Sequence, residues 1–145
     1  MKTLCLLLVF ALLKGHLYSQ QVYFGYPQFS DPLDQGVVIL VNLPENIDGR
    51  FIRIEDLDPL VELLKRDSTL RWTIRINIVL GDEKLSLIQS QSLSQNLTKI
   101  LVHRKVCGNY QVVGEGRNKP ILTDATDPRY RRLNSRLEIE LEYPR

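Results

Sequence analysis

Four serines crowd one segment of the chain, Ser86, Ser90, Ser92 and Ser94, and nucleophilic chemistry would be sought there first. A serine hydroxyl attacks only when a neighbouring base takes its proton. No histidine or lysine stands at a spacing that would serve. His16 falls in an apolar N-terminal run, and His103 follows a helical run beside Arg104 and Lys105, where a solvated side chain is expected. Histidine and cysteine make no set with metal-ligand spacing, and no phosphate-cradling glycine loop is present. The sequence therefore assigns no catalytic residue, no metal and no cofactor, and the chain reads as non-enzymatic. What it offers is binding chemistry. Arg129, Arg131, Arg132 and Arg136 form a basic cluster. Guanidinium groups suit anionic polymers and acidic partners. The same cluster also fits a solvated loop whose arginines pair with Glu138 and Glu140.

The elements that must carry these residues follow from periodicity. Leu137, Ile139, Leu141 and Tyr143 alternate with Arg136, Glu138, Glu140 and Glu142, the pattern of a strand with one face on a core and one in water. Trp72, Ile74, Ile76, Ile78 and Leu80 alternate in the same way with Thr73, Arg75, Asn77 and Val79. After Gly36, the β-branched run Val37–Val41 fits a buried strand. Leu57, Leu60, Val61 and Leu64 mark one apolar face of a helix over 54–66. Acids at 55, 56 and 58 precede Lys65 and Arg66, which suits the helix dipole. Pro59 is tolerated only in a first turn, so that helix starts near Asp56 to Asp58.

A second helix runs from about Leu85 to His103, with Leu93, Leu97, Ile100, Leu101 and Arg104 on its buried side. Its serines and glutamines read as the wet face, and Gln89, in line with Leu85 and Leu93, as a core-edge residue. A short β run from Tyr110 closes on Gly114 and Gly116, which mark a tight bend or a close backbone approach. The order strand, helix, strand, helix, strand, strand predicts an α+β sandwich with two helices on one face of a small mixed sheet.

At 145 residues the chain holds one domain and at most a targeting segment. Residues 1–20 read as a secretory signal peptide: Lys2, an apolar run from Leu4 to Leu13, then a more polar exit. That run is too short to cross a bilayer, which takes ~20 residues, and no later stretch serves as a transmembrane segment. The net charge of +2 argues against nucleic-acid binding. Removal of Lys2 and Lys14 with the signal leaves the mature chain close to neutral. Cys107 is then its single cysteine, so no internal disulfide forms. Residues 21–36 form an aromatic arm (Tyr23, Phe24, Tyr26, Phe29), expected to pack on the domain because exposed rings would make an unusual patch. Asn96-Leu97-Thr98 fits a glycosylation sequon but lies on a helix and reads as chance.

The stretch Gly114-Glu-Gly116-Arg-Asn-Lys-Pro120, followed by Asn134-Ser-Arg136-Leu137-Glu138-Ile139, resembles the closing half of the OmpA-like domain, the peptidoglycan-associating module of bacterial envelope proteins. That family has a G-x-G-x-x-x-P turn and then an N-R-R-V-E-I-type strand; Ser135 departs from it. The resemblance spans Val37 to Leu141 and implies a βαβαββ two-layer sandwich over 37–145. It also implies an exported location, periplasmic, outer-membrane-associated or secreted, and a ligand, the diaminopimelate of the peptidoglycan stem peptide.

The family holds that ligand with the aspartate of a G-H-T-D loop and an arginine on the next helix. Here the loop has no counterpart and the arginine position is Gln89. Asp82 reads either as a helix-start acid beside Glu83 or as a substitute for the lost aspartate. The ligand-binding set that the resemblance implies is thus a degenerate one: Asp82, Gln89, Asn134 and Arg136. Arg129, Arg131 and Arg132 are candidate contacts to a partner such as an envelope protein. Two functions follow: an envelope module with weak or lost peptidoglycan binding, or a secreted assembly subunit that keeps the fold for protein contacts.

Overall fold

The computed structural model describes residues 21–142 apart from Pro32 and Lys119. The segment read as a signal peptide, 1–20, and Tyr143 lie outside the described residues. Seven strands form, β1 (Val22–Phe24), β2 (Val38–Asn42), β3 (Asn46–Ile47), β4 (Arg50–Phe51), β5 (Arg71–Asn77), β6 (Asn109–Gly116) and β7 (Arg136–Leu141). Three α-helices join them: α1 (Asp58–Lys65), preceded by a 3₁₀ turn over Ile54–Leu57, α2 (Glu83–His103) and the short α3 (Tyr130–Asn134). As Pro59 requires, it sits in the first turn of α1.

The main sheet has the order β1-β2-β7-β5-β6. Strand β7 runs antiparallel to both β2 and β5, whereas the β1–β2 and β5–β6 pairs are parallel. Ile39, Ile139 and Ile74 stand opposite one another across three strands. With Leu137, Leu141, Trp72 and Ile76 they pack against Leu57, Leu60 and Leu64 from the α1 side and Leu93, Leu97 and Leu101 of α2. This is the expected two-layer α+β sandwich, with additions. The aromatic arm contributes the edge strand β1, with Tyr23 and Tyr26 against the core. Phe24 and Phe29 stay in water, contrary to the expectation of a fully packed arm, because an edge strand has room under the sheet for only part of its rings. The β3–β4 hairpin turns through Asp48 and Gly49, both at positive φ, as a tight hairpin turn requires. It is tied to α2 where Phe51 N–H donates to Asn96 Oδ1 at 3.1 Å.

Three expectations are corrected. Strand β5 ends at Asn77 rather than Leu80, where a β-bulge breaks the register with β6. Its second face is not wet either. Thr73 is covered by Glu142, to which it donates a hydrogen bond, and by Gln111, while Asn77 stands beside Arg136 and is buried. On α2, the buried line over the first turns runs through Ser86 and Ser90, not through Leu85, which is 54% exposed. Ser86 and Ser90 are therefore not on the wet face, unlike the half-exposed Ser92 and Ser94.

The cause is the sheet beneath them. A Cβ on Gly114 would lie 2.3 Å from the backbone carbon of Ser90 and 2.4 Å from Gln91 N. Backbone meets backbone there, so only small side chains fit between α2 and β6. Each buried hydroxyl is paired: Leu80 N–H donates to Ser86 Oγ, which donates to Asp82 O, and Gly116 N–H donates to Ser90 Oγ at 2.8 Å. Of the two glycines, Gly114 is the close approach and Gly116, at φ +65°, the bend.

Gly114→Ala is therefore expected to destabilise the domain by about 3 kcal/mol, because the obstacle is helix backbone and cannot rotate away. Gly81→Ala, with no atom within 4 Å of the added methyl, should stay within ~0.5 kcal/mol of wild type. Urea melts of the two variants decide this; equal midpoints would contradict the backbone contact.

Candidate functional site

The residues singled out from the sequence gather at one end of the sheet, where β5 and β6 finish, β7 begins and α2 starts. Asp82 is the N-cap of α2: its side chain accepts Leu85 N–H at 2.8 Å. That is the arrangement its place before a helix predicts. Gln89 is half-buried on α2 and makes no hydrogen bond among the described residues. Asn134 ends α3 and is buried. Its Oδ1 accepts Ile121 N–H at 2.7 Å and Leu122 N–H at 3.1 Å, and its Nδ2 donates to Leu122 O at 2.8 Å. Arg136 is buried too, donating to Asn134 O at 3.4 Å and to Glu138 Oε2 at 3.1 Å. Asn134 and Arg136 thus close the 117–135 connection onto the sheet, a task that sequence alone did not separate from ligand contact.

The glutamates of β7 have partners on their own sheet face. Arg75 reaches Glu140 at 2.6 Å, Glu115 at 3.3 Å and Glu138 at 3.5 Å. Of the four arginines that the solvated-loop reading pairs with Glu138 and Glu140, Arg136 does pair with Glu138, at 3.1 Å, whereas Arg129, Arg131 and Arg132 are exposed and do not reach those carboxylates. Arg129 turns back to Asp127 through Nε at 3.1 Å and a terminal nitrogen at 2.8 Å. These bonds, with Arg129 N–H, pull the Asp127 carboxyl down to about 2. Arg131 and Arg132 are exposed on α3 and have no partner among the described residues.

Two clefts open nearby or on the flank. One, of about 390 Å³, lies between the start of α2 and the segment that follows β6, and is lined by Glu83, Leu87, Glu115, Arg117, Asn118 and Pro120. None of Asp82, Gln89, Asn134 or Arg136 lines it. The other, of about 210 Å³, lies between the arm and α1. There Arg66 donates to Asp31 O at 2.5 Å and stacks 5.1 Å over the Phe29 ring, pinning the arm. Sequence reasoning missed Glu83 and Arg117 because they are far apart in the chain and belong to no motif. Arg75 was within reach: it alternates onto the same sheet face as the glutamates of a neighbouring strand.

No family model and no curated protein matches this chain. Solved structures do. A putative MotB-like protein from Desulfovibrio vulgaris superposes with TM-score 0.61 at 18% identity, over 78% of either chain. The peptidoglycan-associated lipoprotein from Burkholderia pseudomallei gives 0.53 at 18%, over 71% of this chain and 89% of that one. The OmpA-like domain of FopA1 from Francisella tularensis gives 0.51 at 11%, over 74% and 77%. The chain has the OmpA-like fold. At these identities the likeness is one of architecture, and it bears out the α+β fold with a mixed sheet that the resemblance implied. Within this fold Asn134 ties the segment between β6 and β7 down at Ile121 and Leu122.

Asn134→Ala should cost about 2 kcal/mol, since it strands two backbone N–H groups and one carbonyl at a partly buried position. Asn134→Asp, which keeps the acceptor, should cost less. Hydrogen exchange at Ile121 and Leu122 reports the effect directly; unchanged protection in the alanine variant would show that other contacts hold the connection.

Proposed function

We propose that the chain is an exported, non-enzymatic cell-envelope protein whose OmpA-like domain binds the peptidoglycan stem peptide weakly or has lost that binding. On this reading residues 1–20 are a signal peptide, 21–36 an arm and 37–145 the domain, and the mature protein is periplasmic, outer-membrane-associated or secreted. The fold supports an envelope role, one neighbour being a peptidoglycan-associated lipoprotein by name. Among the described residues, no helix is long and apolar enough to cross a membrane.

The observation that carries weak binding is Gln89 at the position where the resemblance places an arginine. A carboxylate ligand is held best by a bidentate guanidinium. A neutral amide forgoes about 1.5–3 kcal/mol, one to two decades of affinity. The connection 78–82 between β5 and α2 is also too short for a ligand-binding loop, and Asp82 already spends its carboxylate on the helix cap.

A second reading, a secreted assembly subunit, is favoured by the exposed, unpaired Arg131 and Arg132 and by Phe24 and Phe29, exposed at 83% and 84%. An acidic partner protein would meet both features.

Titration with stem peptide separates the two. Wild type should bind weakly, and Gln89→Arg should gain about tenfold, a gain that shrinks at high salt because the ion pair is partly exposed. Tight wild-type binding would retire the degenerate-site reading. No gain in the variant, together with no retention on purified sacculi, would put the assembly subunit first.

A further inference from the structure

We infer that the cleft between the arm and α1 is a docking groove for a proline-rich segment of another protein, bound in the polyproline II conformation with a basic residue against Glu62. The groove flanks α1, away from the sheet end that carries Asp82 and Gln89. It goes beyond the function proposed above and stands whether or not a stem peptide is bound.

Rings make most of the lining. Tyr26, Pro27 and Phe29 come from the arm, and Pro59 and Leu63 from α1. Arg66 lies 5.1 Å over the Phe29 ring, yet Phe29 is largely in water. Tyr26 is half-buried, and its hydroxyl has no hydrogen bond among the described residues. Burial raises its pKa, so it remains a donor at neutral pH. A helix laid along this wall would spend most of its carbonyls on itself and offer Tyr26 none. A strand needs an open strand edge to pair with, and Tyr26, Pro27 and Phe29 belong to no strand. A polyproline II segment keeps its carbonyls outward, sets flat rings against rings and arrives already ordered.

Charge selects what flanks the prolines. Before and at the start of α1, Glu55 and Asp56 pair with Arg53, and Asp58 with Arg104. Glu62 lines the cleft, is exposed and has no partner among the described residues. Arg66, one turn further on, has its terminal nitrogens on Gln28 O and Asp31 O. Its charge still repels a cation, so the basic residue of the segment lies on the Pro59 side of Glu62. The arm wall is set before the segment arrives. Strand β1 pairs with β2, Gly25 N–H donates to Leu40 O at 2.8 Å, and Gln28 N–H donates to Asp31 Oδ2 at 2.7 Å. A wall that does not move on binding lowers the ordering cost. At about 210 Å³ the cleft is smaller than sites that enclose a small molecule, which suits a groove crossed by an extended chain.

The test is an amide NMR titration of the mature chain with a capped peptide that has one arginine between two pairs of prolines. One control peptide replaces the arginine by glutamate, and another replaces the prolines by alanine. The arginine peptide should shift the amides of Tyr26, Phe29, Glu62 and Leu63, and each control should bind about tenfold more weakly. Tyr26→Phe should lose about fivefold with unchanged melting, since the hydroxyl holds nothing in the fold. Glu62→Lys should reverse the ranking of the arginine and glutamate peptides, an exchange that a merely structural role would not produce. No shifts at these amides with millimolar peptide, or a Glu62→Lys variant that ranks the peptides as wild type does, would overturn the groove. Shifts at the same amides that grow with protein concentration, in the absence of peptide, would assign the cleft to a second copy of the chain and overturn it equally.

Discussion

The contact between Gly114 of β6 and the Ser90 backbone of α2 sets the geometry of the rest. A helix lying on a sheet is normally held off by side chains from both layers. Here one layer contributes nothing, and the helix descends until peptide planes touch. That descent leaves room for only a small side chain at Ser90, and Ser86, one turn earlier, is likewise fully buried. Buried hydroxyls must then be paired or they cost about as much as they displace. They are paired with the ends of the strands: Ser86 with Leu80 N–H, Ser90 with Gly116 N–H. The close approach therefore also fixes where the β5–α2 connection runs and where β6 bends. The cleft lined by Glu83 and Arg117 is bounded by those same two segments.

Much of this was legible in the sequence, and the parts that were not have a common cause. Alternation marked β7 and β5, and the i, i+3, i+4, i+7 pattern marked α1, because each buries a stripe of large apolar side chains against the sheet. Gly114 and Gly116 announced either a bend or a close approach, and the chain uses one for each. The first turns of α2 were misread because burial there follows small polar residues, not large apolar ones. A hydrophobicity pattern cannot register a serine that is buried for its size. Asn134 and Arg136 entered the ligand-binding set through the resemblance, but a motif does not say whether its polar atoms face a ligand or the chain's own backbone. Asn134 faces backbone on all three of its hydrogen bonds.

The uncovered face of the sheet shows how the domain handles charge. Glu115, Glu138 and Glu140 would repel one another on adjacent strands. Arg75 lies among them and reaches all three, and Arg136 takes a second oxygen of Glu138. Such pairs at half-buried positions add modest stability individually, but removing the arginine would leave three like charges crowded together. Because the strand arginines satisfy the strand glutamates, those carboxylates are not left over for the loop. Arg131 and Arg132 are consequently surplus charge on α3, and surplus charge without an internal partner is what an external acidic surface can use.

The ligand chemistry turns on where guanidinium groups are free. A carboxylate can be bound well only by a donor that is not already committed. Arg75, Arg129 and Arg136 are committed to Glu140, Asp127 and Glu138, Arg66 to the arm, and Arg104 to Asp58 at 2.8 Å. Gln89 supplies no charge at all. Around the start of α2, Arg117 and Glu83 have no partner among the described residues.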